Sequence, residues 1–478
     1  MNRAAFVAVI AIAVTGCSLG PNYQRPAVAV PANWRIDNIG ATELTNTKWW
    51  EQFGDPELNR LIETALRENY DVRIAAARVD QFIGQLVATR SQLFPQLAYS
   101  ADLSRFRASR VSVPALPSGV NNHFTLYEAS LAASWQIDLF GRVRRLSEAA
   151  QAQVYASQQA KRGVVLSLVS AVTSSYVLLR ALDRQLEIAQ VTAQNYGETK
   201  RIFDARFRHG LVSQTEVTQI TSQYQQALAA IPGIRRQITA QENLICVLLG
   251  RNPGAIPRGR TITDLTMPTI PADLPSTLLE RRPDIMQAEQ NLIAANANIG
   301  ATRALYFPTF SLTGALGSAS TAFGDFLSGP ASTWLIGLGL IGPIFTFGAV
   351  EGQVAAAEAQ QRQAVDFYKQ TIINAFRETN DALTGSQETR EQLAQQDKRV
   401  LALRENVRLS HARFEKGVTG YLESLIADND LFAAELASVQ LLAELYTQVV
   451  NVYQAMGGGW VELADSMAPQ SMPVGVAR

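Results

Sequence analysis

The chain has 478 residues, 47% of them apolar and 18% charged, and its 42 basic and 42 acidic residues cancel. That is ample for a large core, and balanced charge without a long basic run offers nucleic acid no footprint. Three histidines without ligand spacing, two distant cysteines, and no nucleophile elbow or phosphate loop argue against a catalytic residue, a metal centre, an enzyme of any kind or a disulfide framework.

Residues 1–16 carry Arg3 and an apolar run from Ala4 to Val14, too short to cross a bilayer and suited to an export signal. Val14-Thr15-Gly16-Cys17 resembles a bacterial lipobox, whose cysteine thiol is acylated and becomes the new N-terminus. The alternative is an ordinary cleaved signal with an incidental cysteine. Ser18 replaces the aspartate that retains such lipoproteins in the inner membrane, so the expected address is the outer membrane. A covalent lipid on Cys17, palmitate included, is then the only expected cofactor, and 17–54 is the expected lipid-anchored segment. Asp55-Pro56 follows as an N-cap with proline in the first turn.

A helix is predicted from Asp71 to Leu93, then two alternating segments within 96–139. Leu97, Tyr99, Ala101 and Leu103 share one face, and Gln96, Ser100, Asp102 and Ser104 the other; Tyr127, Leu131, Trp135, Ile137 and Leu139 oppose Glu128, Ser130, Ser134, Gln136 and Asp138. Such alternation fits a half-buried strand of a soluble sheet, but the length also matches the ~9–11 residues of a tilted membrane strand. From Val143 to about Arg208 no proline interrupts a helical run of ~100 Å at 1.5 Å per residue. It ends at Gly210, and a return helix of half that length reaches Gly250.

A Pro-rich linker, 251–275, precedes a second copy of the same pattern over 276–460, so that 55–250 and 276–460 are two repeats. Ala88-Thr89-Arg90 returns as Ala301-Thr302-Arg303 at an offset of 213, and Phe140-Gly141 as Phe347-Gly348 at 207. The second hairpin is expected within 309–345, the second long helix from Val350 to about Glu415, and the second return helix between Gly417 and Gly457. In each repeat a short helix (its second copy from Asp284 to Tyr306) is expected to stack end to end with the return helix. The four strands cannot close a barrel, so membrane strands would require association of several chains. Residues 461–478 read as a flexible tail.

Several motifs, in order, resemble the outer-membrane efflux protein family. They are Trp49-Trp50-x-x-Phe53-x-Asp55-Pro56, Trp135-Gln136-Ile137-Asp138-Leu139-Phe140-Gly141-Arg142, Leu274-Pro275-Ser276 through Arg281-Arg282-Pro283-Asp284, and Gly457-Gly458-Gly459-Trp460. Gly16-Cys17-Ser18-Leu19-Gly20-Pro21 resembles the OprM/NodT lipoprotein branch of that family. The resemblance implies a TolC-like fold, mainly α with membrane β: a homotrimer whose 12-stranded β-barrel, four strands per chain, continues into a periplasmic α-helical barrel. It implies as partners a periplasmic adaptor and an inner-membrane RND drug/proton antiporter, for which the chain is the passive exit duct of small toxic compounds.

The same resemblance places a periplasmic aperture just beyond the helix turns, at Glu216 and Glu423, with Tyr421 and Arg413 as partners in bonds that hold it shut. The adaptor-docking turns would be Gly210, Leu211 and Val212, and Gly417, Val418 and Thr419. Two carboxylates near helix N-termini also simply favour the helix dipole. One departure matters: Ile426 stands where the branch usually has an aspartate, so the gate rests on Glu423 or on an apolar contact, with Asp428 and Asp430 able to substitute. A non-conducting lipoprotein scaffold and a duct for secreted proteins remain as alternatives.

Overall fold

The computed structural model describes residues 18–31, 34, 48–111, 117, 119–270, 275, 278–458 and 466–470. Cys17, the export signal, Gly459-Trp460 and most of the tail lie outside them.

Two helices of equal length dominate the chain. α3 spans Arg142–Arg208 and α7 spans Ala349–Glu415, 67 residues each, and each starts from a left-handed glycine, Gly141 or Gly348. Their return helices, α4 (Gln214–Leu248) and α8 (Tyr421–Ala455), are 35 residues each. α4 runs on through Pro232 despite the lost donor. α3 packs on α4 and α7 on α8, giving two antiparallel coils that touch through α3 and α8. α3 also holds a stretch apolar enough to cross a membrane, but most of it is buried, with Val165 to Leu182 forming much of the central core.

The short helices complete the length. α1 (Pro56–Glu68) is followed by α2 (Tyr70–Ser91), and α5 (Leu278–Arg281) by α6 (Pro283–Arg303). Asn69 caps α2 by accepting from the Val72 amide at 3.1 Å, and its side-chain amide donates to the Leu248 carbonyl at the end of α4, 2.9 Å away. Its repeat equivalent, Arg282, donates to the Ala455 carbonyl at the end of α8, at 2.9 Å. One polar side chain per repeat therefore satisfies a carbonyl that the return helix leaves open and splices two short helices into one long pillar. That is the end-to-end stacking expected from the lengths.

The strands form one antiparallel sheet in the order β1-β2-β3-β4: Gln96–Arg107, His123–Ile137, Thr309–Ser320 and Ser332–Ile341. The two hairpins are joined by β2 pairing with β3, which fuses the repeats into a single four-stranded unit.

Candidate functional site

The sheet and the opposite helix tips carry the features that matter. Register sorts the sheet's side chains into two faces. Tyr99, Leu131, Leu316 and Trp334 form a row across all four strands, and Trp135, Leu312 and Leu338 form another. Every residue of the first row is more than half exposed. The other face carries Ser100, Asp102, Glu128, Ser130, Ser134, Gln136, Ser311 and Thr313, with the Ser100 and Ser130 hydroxyls 2.9 Å apart. Among the described residues, β1 and β4 are the sheet's edges and pair with no further strand.

Aromatic residues bracket the apolar face. Tyr127 packs against Phe323 and Phe326 at the loop end, with ring centroids 5.5 and 6.5 Å away. At the helix end Phe140 stacks on Phe307 at 4.6 Å, and Trp135 donates to the Leu93 carbonyl at 2.9 Å. From Tyr127 to Ile137 the rise is ~33 Å along the strand, or roughly 25 Å vertically at the usual tilt, which is the height of a membrane barrel's apolar band. An apolar outer face, aromatic girdles and a polar inner face make this sheet a segment of a membrane barrel.

Residues 61–251 and 274–458 match the family described as "Outer membrane efflux protein". The chain belongs to the outer membrane efflux protein family. The family's two matched segments correspond to the two repeats seen in the sequence and in the helices. The chain is 34% identical over 467 residues to the "Probable efflux pump outer membrane protein TtgC" of Pseudomonas putida, covering 95% of each. It is 32% identical over 463 residues to the "Cation efflux system protein CusC" of Escherichia coli, covering 94% of this chain and 97% of the relative. A crystal structure of CusC superposes with TM-score 0.83 at 31% identity, over 93% of this chain and all of the other. The open-state MtrE outer membrane channel of Neisseria gonorrhoeae does so with TM-score 0.84 at 28% identity, over 96% and 100%.

At the far tip of this efflux protein the hairpin turns are near copies. Gly210 and Gly417 both sit at φ +70, where a Cβ would be strained, and end their helices with paired backbone bonds. Leu211 N–H donates to the Arg206 carbonyl and Val418 N–H to the Arg413 carbonyl, each at 2.9 Å. Leu211 and Val418 are exposed on the two turns, while Val212 and Thr419 are half-buried.

The four residues expected at the aperture are differently employed. Glu216 closes a capping box with Ser213: its carboxylate accepts from the Ser213 amide at 2.8 Å while its own amide donates to the Ser213 hydroxyl at 3.3 Å. The Ser-x-x-Glu spacing carries that signal in the sequence. Glu423 is exposed and faces Arg413 at 3.6 Å, a long surface pair of little energetic weight. Tyr421 is buried in an aromatic cluster, 4.4 Å from Phe203 and 5.2 Å from Phe414 by ring centroid, and ties the two coils by packing. Burial and then the Asp428 carboxylate push its phenol pKa up.

Asp428 is one of the two acids expected to be able to substitute for Glu423 or the apolar contact at the gate. It turns into the chain and meets the His411 imidazole, whose Nε2 lies 2.9 and 3.0 Å from its two oxygens. Burial raises the Asp428 carboxyl and the His411 contact partly offsets this. Leu422, Ile426 and Asp430, spaced by one turn each, are exposed along one stripe of α8. Asp430 alone of the two acids shares the face of Ile426.

The N-terminal segment meets the other end of α3. Leu19 N–H reaches the Phe140 carbonyl at 3.4 Å, and Arg145 donates to the Leu19 carbonyl at 3.0 Å and to Asn22 at 2.9 Å. Arg25 pairs with Glu289 at 2.5 Å. Two residues after Cys17, the chain is thus held beside the lower aromatic girdle.

Proposed function

We propose that this protein is the exit duct of a tripartite efflux system, a homotrimer whose three sheets close one barrel in the outer membrane above a periplasmic helical tunnel. The observation that carries the reading is a sheet with an apolar outer face and two unpaired edges. Open edges are not viable in lipid, and four strands are too few to close. Three copies supply twelve strands and leave no edge. The relatives named as efflux pump and cation efflux proteins support small toxic compounds as cargo. Resemblance to the family implies the energy source, an inner-membrane RND transporter joined through a periplasmic adaptor at the turns around Gly210-Leu211-Val212 and Gly417-Val418-Thr419. Conduction is passive, since the sequence carries no phosphate loop or catalytic centre of its own.

A lipid on Cys17 fits the position of Leu19 beside Phe140, from which acyl chains enter the inner leaflet of the outer membrane. At the tip, the Leu422-Ile426 stripes of three chains converge into an apolar constriction that excludes water when shut. Glu423, partly balanced by Arg413, flanks it, Tyr421 anchors α8 onto α3, and Glu216 keeps its capping role.

Planar-bilayer recordings test this. Leu422→Ser with Ile426→Ser is expected to raise single-channel conductance several-fold over a mostly shut wild type, while Glu216→Ala leaves it unchanged. No pore from wild type or from the double variant would remove the duct reading and put the non-conducting scaffold first.

A further inference from the structure

Residues 105–124, the outer side of the first hairpin, hold Arg105, Arg107, Arg110 and His123 and no acidic residue. Register places two of these arginines on the lipid face. Leu97, Tyr99 and Leu103 share the outward face of β1, and a regular ladder carries that face on to Arg105, opposite Thr125, and to Arg107, opposite His123. Tyr127, opposite Leu103, belongs to the outer aromatic girdle. Arg105 is one pleat beyond that girdle, ~7 Å along the strand and about 5 Å along the membrane normal. Arg107 is one pleat further. Both are exposed, and among the described residues no carboxylate pairs with either of them or with Arg110.

An arginine just above the hydrocarbon boundary meets whatever anion the outer leaflet presents. In a bacterial outer membrane that leaflet is a glycolipid with phosphates on its sugar headgroup, at this depth. A guanidinium binds such a phosphate through two parallel hydrogen bonds, more firmly than an ammonium does. We propose that Arg105 and Arg107, with Arg110 above them, form an external shelf that binds the phosphorylated headgroup of the outer-leaflet glycolipid against the first hairpin. The trimer carries three shelves, each beside the β1 edge where one sheet meets the next. This inference rests on the barrel reading for the direction in which β1 points.

Native mass spectrometry of the detergent-purified trimer, titrated with diphosphoryl lipid A, tests it. The wild type is expected to retain lipid A, and Arg105→Gln with Arg107→Gln to bind it at least about tenfold more weakly, the loss of two charge-assisted contacts. Arg235→Gln with Arg236→Gln on exposed α4 removes the same charge and should bind as the wild type does. Lipid A stripped of both phosphates, and phosphatidylglycerol, should both bind the wild type weakly. Undiminished lipid A occupancy in an intact trimer of the Arg105/Arg107 variant overturns the shelf and leaves the duct standing. Equal retention of phosphatidylglycerol overturns it too, as a general affinity for anions. A wild-type chain that forms no trimer overturns the barrel and the shelf together.

Discussion

Leu131→Arg is expected to destabilise the membrane-inserted protein by about 2–4 kcal/mol per chain, because it places a charge near the middle of the apolar band. Leu131 lies midway between Tyr127 and Trp135 on β2, with Tyr99 and Leu316 beside it on the outward face. Its neighbour Ser130 faces the other way, against Ser100 and near Glu128 and Asp102, so Ser130→Arg adds a cation to a polar, acidic wall at a much smaller cost. Urea unfolding in lipid vesicles measures both variants. Two adjacent positions with opposite outcomes follow only if the strand is a membrane strand in this register. Similar losses at both would mean that the sheet lies in water or between protein layers.

The second large effect lies in the core of the helical body. Asp55 is fully buried, and one oxygen accepts from the Glu57 amide at 2.9 Å. The other accepts from the Tyr176 hydroxyl at 2.8 Å and from the Arg260 amide at 2.9 Å. Tyr176 in turn accepts from the Gly259 amide, so a single carboxylate ties the start of α1, the middle of α3 and the linker between the repeats. Asp55→Ala strands three donors without acceptors and should cost on the order of 3–5 kcal/mol. Asp55→Asn keeps one good acceptor and should cost less. Circular dichroism during denaturant unfolding reads the difference, and an alanine variant as stable as the wild type would show that water replaces the carboxylate.

These cases divide what the sequence made legible from what it did not. Helix lengths were legible because proline-free runs and bounding glycines are local signals, and because the second repeat restates them at a fixed offset. The faces of the strands were legible for the same reason, since alternation has a period of two residues. The pairing of β2 with β3 was not. It joins segments from different repeats, and no turn chemistry marks a contact made so far apart in the chain. Asp55 was readable only as a helix cap, because its other two partners arrive from Tyr176 and Arg260 through the tertiary fold.

At the tip, positions were easier to read than side-chain employment. The turns at Gly210 and Gly417 stand where the repeat puts them, but spacing alone does not tell an exposed acid from one turned inward. Asp428 and Asp430 differ by two residues on α8, and a helix rotates about 200° over that step. One is consumed by His411 and the other shares the exposed stripe of Ile426. The buried aromatic packing of Tyr421 was likewise invisible, since Phe203 and Phe414 reach it from two other helices.

Electron microscopy of the full-length protein in lipid nanodiscs tests the central claim most directly. The account predicts a three-fold particle with one closed barrel in the disc and a helical tube of ~100 Å projecting from one side. A monomer, or an assembly whose sheets lie outside the lipid, would contradict it.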